Sequence, residues 1–172
     1  IREGTLDFVL LKPIDSQFFI SLKKINPSGF LEIMLGFFLL FFCIRINQIN
    51  LNLSFLTLSL ITISCSICIL YSLWFFISTT TIWFVKTWNA IEVLRSFLYI
   101  GRFPLNSFSF SLRIFFSVFI PIAFITTIPS EVFLGLSQLW KILLEVIVAS
   151  VFLITSRKFW LFALKFYSSA SS

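Results

Sequence analysis

Residues 53–76 read LSFLTLSLITISCSICILYSLWFF. No charge interrupts the stretch from Leu53 to Phe76. A helix of about 20 apolar residues spans the roughly 30 Å hydrocarbon core of a bilayer, so this segment predicts a transmembrane helix. Ser59, Thr62 and Ser66 recur on one face of it at helical spacing. Small hydroxyl residues let membrane helices approach closely and bond across the contact. They also bond back to carbonyls of their own helix. The sequence leaves both readings open.

Working outward, three more stretches predict crossings. Residues 30–46, FLEIMLGFFLLFFCIRI, are about the minimum length, with Glu32 and Arg45 placed to reach the headgroups. Residues 113–129 form a short run with Pro121 inside and Pro129 at its end. Pro121 removes a helix hydrogen bond that neighbouring helices must compensate. Residues 140–156 form the last. Between the second and third lies STTTIWFVKTWNAIEVLRSFLYIGRFPLNSFSFS, apolar but broken by Lys86, Glu92, Arg95 and Arg102. Asn89, Glu92 and Ser96 fall on one helical face there, and Trp88, Ile91, Leu94 and Leu98 lie away from it, the pattern of an interfacial helix. The expected fold is therefore all-α: a polytopic membrane helix bundle of about four transmembrane helices plus amphipathic or interfacial helices. Residues 1–29 form a juxtamembrane segment and residues 30–172 the membrane domain.

Composition agrees. Hydrophobic residues make up 59% and charged residues 12%, against about 45–50% and about 25% in soluble domains; mean hydropathy is +1.04. The net charge of +6 does not signal nucleic acid, because the basic residues sit between apolar runs and orient them. With the four crossings above, segments 1–29, 77–113 and 157–172 share one side and hold eleven of the thirteen Lys and Arg. Only Arg45 and Lys141 fall on the other. Positive charge marks the cytoplasmic side, so the C-terminus is expected there, in a bacterial inner membrane.

Several functions lack their residues. There is no His, no HExxH, and no G-x-x-x-x-G-K-(S/T) phosphate loop among glycines 4, 29, 36, 101 and 135. The chain is expected not to be an enzyme and to need no cofactor or metal. Cys43, Cys65 and Cys68 sit inside apolar runs, where Cys behaves as a small hydrophobe.

The opening segment IREGTLDFVLLKPID carries five of the twenty charged residues immediately before the apolar runs. Arg2, Glu3, Asp7 and Lys12 offer both signs of charge for a specific polar contact. Gly4 and Pro13 bracket a short helical piece. A solvated loop whose charges only set topology fits the same residues.

Taken in order, IREGTLDFVLLKPID, RFPLNSFSFSLRIFFSVFIPIAFITTIPSEVFLG and FWLFALKFYSSASS resemble the ABC-2 family of transporter permeases over nearly the whole chain. The matching positions include Gly4, Leu6, Asp7, Lys12, Pro13, Phe103, Pro104, Pro121, Pro129 and Gly135. The resemblance implies about six membrane helices in the complete permease, with this chain as its last two-thirds. It also implies a separate ABC ATPase subunit for ATP hydrolysis, a second permease chain as homo- or heterodimer partner, and export by alternating access. On that resemblance Arg2, Glu3, Gly4, Asp7, Lys12 and Pro13 belong to the coupling contact with the ATPase. The alternative is a non-transporting structural or assembly subunit.

Glu145 is the one carboxylate well inside an apolar run. A lone charge near the bilayer interior costs at least about 2.5–3.5 kcal/mol. Lys141, one turn earlier, is a candidate ion-pair partner, and simple protonation is another resolution. A third reading places Glu145, with Pro121 and Pro129, on the translocation pathway or the dimer seam.

Overall fold

The computed structural model describes residues 5–23, 27–46, 52–84, 88–103, 107–118 and 120–167. These fall into two compact units, one reaching to Asn52 and the other starting at Leu53. Among the described residues all regular structure is helical.

The first unit holds α1 (Thr5–Leu10), α2 (Ser16–Leu22) and α3 (Ser28–Ile46). Asp15 caps α2 by accepting a hydrogen bond from the Phe18 amide at 3.0 Å, which satisfies one of the donors a helix start leaves open. α1 packs on α2, and Leu6, Val9 and Gln17 are the buried residues of the pair. α3 is long and apolar enough to cross a membrane, and none of its described side chains is buried within the chain. Such a surface calls for lipid or other helices around it.

The second unit is organised by α4 (Leu53–Thr80) and α8 (Leu139–Leu164), the other two helices long and apolar enough to cross. α4 buries Ser59, Thr62, Ser66, Ile69, Ser72, Phe75 and Thr79, a mostly hydroxyl face. α8 answers with a face containing Ala149, Ser156 and Ala163. Small residues on both sides permit the close packing by which membrane helices associate. Above the small residues the contact widens into aromatics. Trp160 meets Phe75 edge-on at 5.4 Å, Phe76 meets Phe159 at 5.6 Å, and Trp83 lies 6.0 Å from Phe166.

The order of these contacts fixes direction. Leu58 packs on the cluster containing Ile142, Ser66 touches Glu145, Phe76 touches Phe152 and Phe159, and Trp83 touches Phe166. Residue numbers rise together on both helices, so α4 and α8 run parallel. The chain between them must therefore return from the end of α4 to the level of its start. It does so through α5 (Trp88–Ile100), α6 (Phe110–Val118), a π turn (Ala123–Thr127) and α7 (Ile128–Phe133). α7 ends beside the beginning of α4, where Phe133 and Phe55 are 5.9 Å apart.

The single helix expected over 113–129 is thus a broken one. Pro121 lacks the amide needed to continue α6, and the chain restarts with Phe124 and Ile125 both donating to the Pro121 carbonyl. α5 is 13 residues long, about 20 Å at 1.5 Å per residue, too short for a full crossing. It buries Leu94 and exposes Asn89 and Ser96, with Arg95 paired to Glu92 at 3.1 Å.

Candidate functional site

The π turn is where the residues singled out by the sequence converge. Pro121 precedes it, Pro129 follows it, and both are buried. The Ile128 amide donates to the Ala123 carbonyl, five residues back, in place of the usual Phe124 carbonyl. In the same five-residue pattern, the donor to Phe124 would be the nitrogen of Pro129, which carries no hydrogen. The Phe124 carbonyl is therefore left without a backbone donor, and Ser66 of α4 supplies one, its Oγ at 3.1 Å.

Ser66 also meets Glu145. Its Oγ is 3.2 Å from Glu145 Oε1, and Glu145 is fully buried among α4, α8 and the π turn. The other carboxyl oxygen, Oε2, has no hydrogen-bond partner among the described residues. Lys141 does not pair with Glu145. Its Nζ lies 2.7 Å from Glu131 Oε2, because the turn after α7 folds Glu131 back over the first turn of α8. That turn depends on Gly135, whose φ of +69° is left-handed. The Leu136 amide then reaches the Glu131 carbonyl at 2.9 Å and closes the end of α7.

The hydroxyl face of α4 serves both purposes that its pattern suggests. Thr62 bonds back to Leu58 and Ser59, and Ser72 to Cys68. Ser66 bonds back to Thr62 at 2.9 Å and outward to Phe124 and Glu145 as well. Ser66 was marked by its spacing and Glu145 by its place inside an apolar run, but their contact was not, nor were Phe124 and Gly101. A Cβ on Gly101 would sit 2.9 Å from Ile122 Cγ2 and 3.1 Å from Thr126 Cγ2. The end of α5 thus closes directly on the π turn.

At the other candidate site, Arg2, Glu3 and Gly4 lie outside the described residues. Asp7 is on α1, and Lys12 and Pro13 form the exposed bend between α1 and α2. The Lys12 ammonium sits 4.2 Å above the Phe19 ring, a cation–π contact that ties the bend to α2. Phe8 and Leu11 stay 71% and 81% exposed. The two sites lie in different units.

Three helices long and apolar enough to cross a membrane, with a broken, proline-flanked passage packed on one of them, define a multi-pass membrane protein. A family model described as "ABC-2 family transporter protein" matches residues 1–171. The chain belongs to that family and is a membrane permease component of an ABC transporter. No curated protein and no solved structure matches it.

Proposed function

We propose that this permease component forms half of an export pathway and is driven by a separate ATPase that docks on the α1–α2 hairpin. The observation that carries the reading is the hairpin's surface. It exposes Phe8 and Leu11 beside the charges of Asp7 and Lys12. An apolar anchor rimmed by both signs of charge is the make-up of a specific protein contact.

A second permease chain completes the pathway, and the uncovered side of α3 gives such a chain, or lipid, a surface to meet. ATP drives the cycle only by binding one conformation more tightly than the other. The distribution of basic residues supports a reading with both ends of this chain on the cytoplasmic side of a bacterial plasma membrane. Pro121, Pro129 and Glu145 belong to the moving part, since a broken helix is where a membrane passage bends most readily. An amphipathic or lipid-linked cargo suits walls this apolar.

Reconstitution tests the proposal. The full permease with its ATPase in proteoliposomes should show ATPase activity that rises with the permease present and falls with Asp7→Lys. ATP turnover that ignores the permease would overturn the assignment.

A further inference from the structure

We infer that Glu145, Ser66 and the Phe124 carbonyl form a buried proton-binding site, in which Glu145 is held as the neutral acid and its proton is tied to the shape of the π turn.

The argument is a count of hydrogens. Ser66 Oγ carries one, yet it lies within bonding distance of three acceptors: Thr62 O at 2.9 Å, Phe124 O at 3.1 Å and Glu145 Oε1 at 3.2 Å. The Thr62 carbonyl sits inside α4, where helix geometry gives it the Ser66 amide. For the Phe124 carbonyl, the Ile128 amide donates to Ala123 instead and the next position in the π pattern is a proline, so Ser66 is the donor that reaches it from outside the turn. With Glu145 ionised, the carboxylate and the carbonyl would compete for that one hydrogen. The loser would be a buried acceptor with no donor, which is strongly disfavoured. One more proton removes the conflict. The Glu145 hydroxyl at Oε1 donates to Ser66 Oγ, and Ser66 donates to Phe124. Oε2 then remains as a neutral carbonyl oxygen rather than an anionic one, which fits its lack of a partner.

The surroundings supply no competing charge. On α4 the titratable side chains flanking Ser66 are the thiols of Cys65 and Cys68. On α8, Lys141 is taken by Glu131 of α7. The π turn, Ala123–Thr127, carries no titratable side chain. A cavity of about 200 Å³ lies beside the site, lined by Phe124, Thr127, Glu131, Lys141 and Leu144.

Release of the proton would pull the Ser66 hydrogen to the carboxylate and orphan the Phe124 carbonyl. Moving the Ile128 amide to Phe124 would in turn release the Ala123 carbonyl, so the remedy is for the π turn as a whole to shift to the ordinary helical register, each amide moving one carbonyl along. Proton loss and a π-to-α change of register are thereby one event.

Infrared difference spectroscopy on the full-length protein in lipid nanodiscs, stepped from acidic to alkaline buffer, tests this. A protonated-carboxyl stretch is expected at neutral pH. It should shift with isotopically labelled glutamate, vanish in Glu145→Gln, and move to higher frequency in Ser66→Ala. If Glu145→Gln fails to fold, Glu145→Asp carries the test: the band should persist but no longer shift with labelled glutamate. A spectrum with Glu145 as carboxylate at neutral pH overturns the site. So does a band that sodium, but not potassium, abolishes, which would mean a sodium site instead. Neither ATPase nor cargo is present in the measurement, so the result is independent of the transport proposal.

Discussion

Lys141 Nζ and Glu131 Oε2 stand 2.7 Å apart across the turn that links α7 to α8. Both side chains are about one-quarter exposed, so water and salt moderate the attraction. A double-mutant cycle with Glu131→Gln and Lys141→Gln should give a coupling of about 0.5–1 kcal/mol, read from thermal unfolding in detergent. Pairing Lys141→Gln with Glu145→Gln should give simple additivity. Coupling in the second cycle and none in the first would put Lys141 with Glu145 after all.

Gly101 is where the end of α5 closes on the π turn. Gly101→Ala should destabilise the protein by about 1–3 kcal/mol, the usual cost of overpacking. Ile122→Ala in the same chain should recover part of that loss, since Ile122 Cγ2 is the nearest obstacle. A Gly101→Ala protein that melts like the parent would mean the contact yields freely.

Gly135 holds a left-handed backbone with open space around its Cα. The strain of a substitution is therefore conformational rather than steric. Gly135→Ala should cost about 1–2 kcal/mol, and Gly135→Asn less, because Asn tolerates this region. Equal melting of the two variants would separate the turn from the stability of the α7 end.

The proposed coupling contact predicts that Asp7→Lys and Lys12→Glu lower copurification of the ATPase while leaving the thermal melt of the membrane unit unchanged. Full recovery of the ATPase with both variants would remove the hairpin from the interface.

Orientation is open to a direct chemical check. With a Ser169→Cys variant in intact cells, an impermeant thiol reagent should fail to label until the membrane is opened. Prompt labelling from outside would reverse the assigned sides.

The long helices were legible because length and lack of charge suffice to predict a crossing; Leu53–Thr80 reads that way without any knowledge of its neighbours. What the helices pack against was less so. The hydroxyl face of α4 announced a contact, but nothing local to Ser66 names Glu145, which lies 79 residues away. The break after Pro121 was half visible. Proline is equally at home in the first turn of a new helix, so Pro129 alone did not say that the preceding turn would widen to a π register. The candidate Lys141–Glu145 pair, one of three readings of Glu145, followed correct spacing. It lost to Glu131 because the Gly135 turn brings that carboxylate back in three dimensions, a move invisible to helical periodicity. The segment 1–4 and its candidate coupling residues fall outside the described residues.

The parallel pairing of α4 and α8 has a consequence for biosynthesis. Parallel neighbours cannot be adjacent in sequence, so α4 enters the membrane well before its partner has been translated. At about 5–20 residues per second, the 79 residues from Ser66 to Glu145 take roughly 4–16 s to synthesise. For that interval the hydroxyl face of α4 lies open to lipid. Its back-bonds to Leu58, Thr62, Cys68 and Phe75 satisfy the hydroxyls of Thr62, Ser66, Ser72 and Thr79, though not that of Ser59, so most of the face can wait intact. When α8 arrives, only Ser66 has to change allegiance.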